Sequence, residues 1–151
     1  MSSNDYYREN SNVIELEKSD FSHDNKITNS NFENKYGLLK VYADWCGHCK
    51  NMKEMMNFLA DELQDEDFVV GAINFGTYER DNKPECLKPT IRSFPTLLMV
   101  NYDGTIESMP NNSSNELNHI LDNICSYTND KSTNSSKKKI CKKTSTKLTN
   151  I

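Results

Sequence analysis

Apolar and polar positions change period several times along this chain, and each change marks an element. At residues 13–16, Val13, Ile14 and Leu16 surround Glu15, the alternation of a half-buried strand. Residues 36–43 are apolar apart from Lys40, which predicts a central strand buried on both faces. Met52, Met55, Met56, Leu59, Ala60 and Leu63 then recur at helical spacing, giving a helix with one apolar face. The three methionines read as flexible core filler rather than as a soft metal-ligand surface. A valine-rich run at 68–75, bounded by Asp67 and Gly76, predicts a second buried strand. Segments 96–101 and 105–109 flank Tyr102-Asp103-Gly104, a hairpin signal with its turn at Asp-Gly. Ser113 and Glu116 have the S-x-x-E spacing of a capping box, before a helix carrying Leu117, Ile120, Leu121 and Ile124 on one face.

The stretches between are less regular. Residues 19–34 are rich in Ser, Asn and Asp but contain Phe21, Ile27 and Phe32, and read as a turn, a short helix and a loop. Residues 78–88 are polar and broken, a short helix that Pro89 would stop. His23 and His119 are expected in solvent. Strands alternating with helices, then a hairpin and a closing helix, predict an α/β sandwich with a mixed central sheet.

Composition sets the limits of that domain. Only 35% of the 151 residues are hydrophobic, and the mean hydropathy is −0.80, low for a chain folded throughout. Residues 1–12 are polar, and 128–151 are Ser, Thr, Asn and Lys with little to bury. The expected domain is therefore 13–127, with disordered ends. Seven lysines against Asp130 give the tail six net positive charges, so the other 127 residues carry ten net negative charges of the chain's total of −4. Such a tail would make weak contacts with a polyanion, or simply keep the protein soluble. No apolar leader is read at 1–12 and no run spans a bilayer, so the cytoplasm is the expected compartment. Abundant Asn, Lys and Ile have AT-rich codons and make packaging in a virus particle the alternative. Five cysteines are an odd number, so at least one is free or pairs between molecules. The roles of Cys86, Cys125 and Cys141 stay open.

The chemistry concentrates at Trp45-Cys46-Gly47-His48-Cys49-Lys50, where the central strand gives way to the helical pattern. Two cysteines one helical turn apart can close a disulfide without moving the backbone. The helix start offers unpaired N–H groups to a Cys46 thiolate, and a protonated His48 adds positive charge. Cys46 is then the nucleophile and Cys49 the resolving thiol. The rival is half of a zinc site, but Cys86, Cys125, Cys141, His23 and His119 contain no second close pair. No metal or other cofactor is implied.

These residues resemble the thioredoxin superfamily, and Gly47-His48 between the cysteines makes the chain look like a protein disulfide isomerase domain. Residues 13–16, Val41-Tyr42-Ala43 and Arg92-Ser93-Phe94-Pro95-Thr96 extend the likeness over roughly residues 11–127. The resemblance implies a thioredoxin fold and thiol–disulfide exchange with protein substrates and an unidentified electron donor or acceptor. It also implies a cis Pro95 facing the cysteines, and a substrate groove shaped by Trp45, Gly47, Phe94 and Thr96. Arg92 would approach the resolving thiol. In some isomerase domains a cysteine at the place of Cys86 pairs with one in the preceding strand; Phe75 stands there, so Cys86 is expected to be free.

Two positions depart from the family's pattern. Glu54 stands where a helix-kinking proline is common, which predicts a straighter helix. Lys40 occupies the place of a buried acid. A neutral Lys40 would accept the Cys49 proton, a charged one would stabilise the Cys49 thiolate, and a snorkelling one would reach solvent and touch neither sulfur. A redox-silent thioredoxin-fold binding or structural module, such as a virion component, is the alternative function, and a metal-binding adaptor the remaining one.

Overall fold

The computed structural model describes Tyr7 and residues 11–64, 67–76, 81–109 and 116–131. Five strands form one sheet: β1 (Ile14–Leu16), β2 (Tyr36–Tyr42), β3 (Phe68–Asn74), β4 (Thr96–Val100) and β5 (Ile106–Ser108). Their order is β1-β3-β2-β4-β5, with β1, β3 and β2 parallel, β4 antiparallel to β2 and β5 antiparallel to β4. This is the thioredoxin fold. The hairpin turn uses Gly104 at φ +91°, where a side chain would be strained.

β2 is buried along its whole length. Its side chains alternate, so Leu38, Lys40 and Tyr42 enter one layer while Leu39 and Val41 enter the other. The first layer is closed by the helices α1 (Gly47–Asn51), α2 (Lys53–Leu63) and α3 (Leu117–Lys131). Met52, Met56, Leu59, Ala60 and Leu63 supply the predicted apolar face, and Ile120, Leu121 and Ile124 supply that of α3. The second layer is covered by Ile27, Phe32 and Leu87, which come from connecting segments. His23 and His119 are exposed, as the pattern predicted.

Four details differ from the sequence expectations. The helix after the cysteines is interrupted without a proline, because Met52 (φ −88°, ψ −4°) separates α1 from α2. Its N–H is shared between the carbonyls of His48 and Cys49, the tighter and looser turns at once. The segment 19–34 holds two 3₁₀ turns, Lys18–Asp20 and Ser30–Phe32, rather than one helix. Residues 81–90 contain turns and no helix, and 77–80 lie outside the described residues. The proposed ends are also too tight. Tyr7 is 3% exposed in the first layer, and α3 continues to Lys131 with a buried Thr128, whose Oγ1 donates to Ile124 O. The capping box at 113–116 falls mostly outside the described residues, as does the tail beyond Lys131. No helix among the described residues is long and apolar enough to cross a membrane.

Phe32 fixes the connecting segment onto the sheet. It is 1% exposed and lies over two glycines; a Cβ at Gly71 would come 2.6 Å from its Cζ, and one at Gly37 3.0 Å from its Cε2. Truncation would empty a space that neighbouring backbone cannot fill. Phe32→Ala should therefore cost about 3–5 kcal/mol, seen as a lower urea midpoint at unchanged slope. A cost below about 1 kcal/mol would show that this segment does not dock as described.

Candidate functional site

The chain turns sharply after β2. Cys46 N–H donates to Ala43 O, and Cys46 then becomes the N-cap of α1, its Sγ accepting the Cys49 N–H at 3.1 Å. Cys46 is 7% exposed and Cys49 fully buried, and both are free thiols. The accessible sulfur is thus the one at the helix cap. The more deeply held sulfur is one turn further in.

A second segment closes over Cys46. The Phe94–Pro95 peptide is cis, and Cys46 Sγ donates to Phe94 O across 3.7 Å. Thr96 begins β4 and turns its Oγ1 back to Ser93 O at 2.8 Å, which secures the loop. Trp45 is 58% exposed and meets the Phe94 ring edge-on at 5.7 Å, while Phe75 supports Phe94 from beneath at 6.1 Å. Gly76 permits this arrangement, because a Cβ there would lie 2.7 Å from Ala43 Cβ and 2.9 Å from Trp45 Nε1. Gly47 and His48 are exposed beside the cysteines; an added Cβ at Gly47 meets nothing within 4 Å. Cysteines, cis-proline loop and aromatic rim are therefore brought together. Arg92 is not: it is exposed and makes no hydrogen bond or ion pair among the described residues.

Lys40 lies directly behind the cysteines, fully buried, so the snorkelling reading is overturned. The strand register explains why: Lys40 is paired with Ala72 on one side and Leu97 on the other, pointing into the helical layer. Its Nζ donates to Cys49 O at 2.8 Å and to Tyr7 Oη at 2.9 Å, and lies 5.3 Å and 5.2 Å from the ring centres of Tyr7 and Tyr42. Two carbonyl or hydroxyl oxygens and two ring faces replace the water it has lost. The Cys49 carbonyl is thereby diverted toward Lys40, next to the break at Met52.

Glu15 was not singled out in the sequence. It is paired through β1 with Ala72, so Glu15, Ala72 and Lys40 form one row across three strands. Tyr42 Oη donates to both Glu15 oxygens, at 2.9 and 3.0 Å. Burial pushes the Glu15 carboxyl up to about 7, against the Tyr42 hydrogen bond and the charges of Lys40 and Lys53. Burial pulls Lys40 down to about 8, opposed by Cys49, Glu15 and Cys46 and assisted by Lys53. Cys49 is pushed up to about 12 by burial first and its hydrogen bond with Cys46 second, while Lys40 and the Ala43 backbone oppose the rise. Cys86 is a free thiol, as expected, in the other layer, and burial raises its pKa. Cys125 is disulfide-bonded.

Comparison with known proteins accords with this geometry. The family model described as Thioredoxin matches residues 12–124. Protein disulfide-isomerase 1 of Dictyostelium discoideum is 35% identical over 88 residues, 58% of this chain and 22% of that protein. Protein disulfide-isomerase MPD1 of Saccharomyces cerevisiae is 33% identical over 94 residues, 62% of this chain and 27% of its own length. The chain thus matches between a tenth and about a quarter of the length of these and similar curated relatives. Among solved structures, the Trx4 domain of ERdj5 superposes with a TM-score of 0.60 at 20% identity, covering 80% of this chain and 98% of that one. The thioredoxin f2 complex with ferredoxin:thioredoxin reductase gives 0.58 at 22%, covering 77% and 94%. These structural likenesses concern the fold.

The paired shifts at Glu15 and Lys40 should be visible in stability. Folded Glu15 keeps its proton to about pH 7, but unfolded it releases it near 4.5, so stability falls as pH rises between those values. Lys40 has the opposite sign: folded it loses its proton near 8, unfolded near 10.5, so its contribution makes stability rise with pH from about 8. Above about 9 the Cys49 thiol, normally near that value and raised here, opposes the rise, so the Lys40 effect is read between 8 and 9. Urea unfolding across pH should show Glu15→Gln flattening the acid limb and Lys40→Met flattening the alkaline one. Slopes unchanged in both variants would contradict the buried placement of these charges.

Proposed function

We propose a function from one premise: the chain belongs to the thioredoxin family. On that footing it is a thiol–disulfide oxidoreductase of the protein disulfide isomerase kind, acting on protein thiols and disulfides through Cys46 and Cys49. The observation that carries this reading is the capped, nearly buried Cys46 sulfur, bonded to the Cys49 N–H and facing Phe94 O of the cis-proline loop at 3.7 Å.

In the reducing direction, Cys46 thiolate attacks one sulfur of a substrate disulfide. A Cys46–substrate disulfide forms, and the other substrate sulfur leaves as a thiolate. Cys49, having lost its proton, attacks Cys46 Sγ. The Cys46–Cys49 disulfide forms, the bond to substrate breaks, and the second substrate sulfur leaves as a thiolate. The substrate has gained two electrons and the protein has lost two. An electron donor of dithiol chemistry then restores the protein, and the same steps reversed oxidise a substrate dithiol. Trp45, Phe94 and Thr96 frame the approach to Cys46, and the main chain beside Pro95 offers a substrate backbone its hydrogen-bonding groups. His48, exposed next to both cysteines, favours the thiolate-bearing state when protonated.

Lys40 belongs to this machinery through Cys49. A neutral Lys40 beside a Cys49 thiol and a charged Lys40 beside a Cys49 thiolate contain the same number of protons. The two roles considered from the sequence are therefore one titration state of a coupled pair. Resolution proceeds from that state.

The direct test is turnover of insulin disulfides by the purified chain with a dithiol reductant. Cys46→Ser should abolish turnover, and Cys49→Ser should accumulate mixed disulfides with substrate that a reductant dissolves. Normal turnover by Cys46→Ser would overturn the assignment.

A further inference from the structure

The row Glu15–Ala72–Lys40 places a carboxylate two strands from the ammonium that touches the Cys49 carbonyl, with Ala72 at the paired position on the strand between. Tyr42 ties the two ends. Its hydroxyl donates to Glu15 while the centre of its ring lies 5.2 Å from Lys40 Nζ. Neighbouring strands are about 4.8 Å apart, so the Glu15 and Lys40 backbones are about 10 Å apart, and both side chains lie on the helical side of the sheet, Lys40 fully buried and Glu15 half-buried. In such a layer a charge at this distance is weakly screened. The geometry points to Glu15 as a positioning residue that holds the proton on Lys40 and so sets the pH at which Cys49 resolves a mixed disulfide. This inference rests on the oxidoreductase reading only in its second half; the coupling between Glu15 and Lys40 stands without it.

Among the described residues, the charged and titratable groups that act on Lys40 come from four places in the fold and from its own strand. Cys46 and Cys49 face it from α1, Tyr7 from the N-terminal segment, Tyr42 from its own strand, Glu15 from β1 and Lys53 from α2. β3 and β4 contribute Ala72 and Leu97 at the paired positions, which carry no charge. Among the described residues, Glu15 is the carboxylate that acts on Lys40. Near pH 8, where Lys40 titrates, Glu15 is already mostly ionised.

The sign of the effect follows. A negative Glu15 stabilises the Lys40 ammonium and raises the pH at which the Lys40/Cys49 pair loses one proton. That one-proton-poorer state is the one that resolves, with Cys49 Sγ bonding to Cys46 Sγ as the substrate sulfur departs with the electron pair. Removing the Glu15 charge makes the pair lose its proton at lower pH. Glu15→Gln should thus resolve faster near pH 7 than the wild type. A variant that merely loosened the fold would resolve more slowly.

The experiment has two readouts on the full chain. The first is the Lys40 Cε chemical shift followed through pH in the reduced protein, which requires no turnover. Glu15→Gln should lower its midpoint by about half a pH unit or more, and Glu15→Asp should restore it toward the wild type. The second is single-turnover resolution of a Cys46-linked mixed disulfide with a model peptide. Its pH profile should move to lower pH by the same amount in Glu15→Gln and to higher pH in Lys40→Met. Should Glu15→Gln fold poorly, Tyr42→Phe removes the hydrogen bond that favours the Glu15 carboxylate and should shift both readouts in the same direction by less. Superimposable Lys40 titrations in wild type and Glu15→Gln overturn the coupling. A moved Lys40 titration with an unmoved resolution profile overturns the catalytic half. A chain that fails to turn over insulin yet shows the shifted Lys40 midpoint refutes the oxidoreductase reading and leaves the coupling standing.

Discussion

A lysine ammonium buried against the redox helix is the constraint on which the site depends. In an apolar layer such a charge is costly unless hydrogen bonds and opposite charge replace its lost hydration. Each replacement shapes something nearby. The Cys49 carbonyl turns toward Lys40, beside the break in the helix at Met52. Tyr7 is drawn from an otherwise polar N-terminal segment into the core, its hydroxyl on Lys40 and its ring edge-on to Tyr42 at 6.1 Å. Tyr42 in turn holds Glu15. The site is therefore a layer of linked charges behind the cysteines as much as the cysteine pair itself.

The arrangement also explains why the two sulfurs differ. Cys46 sits at the helix cap with a donor on its sulfur and an open rim of Trp45 and Phe94 around it. Cys49 is sealed beneath, where burial holds its proton strongly. A resolving thiol in that position needs help to ionise, and among the described residues the positive charge that acts on it is Lys40. Proximity alone would not serve; the lysine's own proton must be balanced near the working pH. Glu15 on one side and burial on the other pull that balance in opposite directions.

Much of this was legible in the sequence. Alternation placed β1, continuous apolar runs placed β2 and β3, the Asp-Gly turn placed the β4–β5 hairpin, and one-sided apolar spacing placed the main helices. The cysteine spacing was likewise readable because its chemistry is local, while the places of Trp45 and the Phe94-Pro95-Thr96 loop were what the family resemblance implied. What escaped depends on register between distant strands. Glu15 looked like the solvent side of a half-buried strand; only the pairing of β1 with β3 shows that it faces Ala72 and, beyond it, Lys40. A lysine inside an apolar strand was the available signal, since it demands a carboxylate somewhere in the same layer. Tyr7 carried no signal in its polar surroundings. The break at Met52 contradicted a rule based on proline, because here it adjoins a side-chain donor on a helix carbonyl. Arg92 belonged to the recognisable segment, yet its backbone leaves the side chain in solvent.

The central claim is that buried positive charge at Lys40 stabilises the reduced, ionisable pair and makes the disulfide a better oxidant. Equilibration of the Cys46/Cys49 couple with glutathione at pH 7, in wild type and Lys40→Met, measures this most directly. The wild-type potential should lie nearer the isomerase value of about −180 mV than the thioredoxin value of about −270 mV. Loss of the charge should lower it by about 30 mV, the equivalent of about 1.4 kcal/mol. Equal potentials in the two proteins, or a higher one in Lys40→Met, would contradict the account.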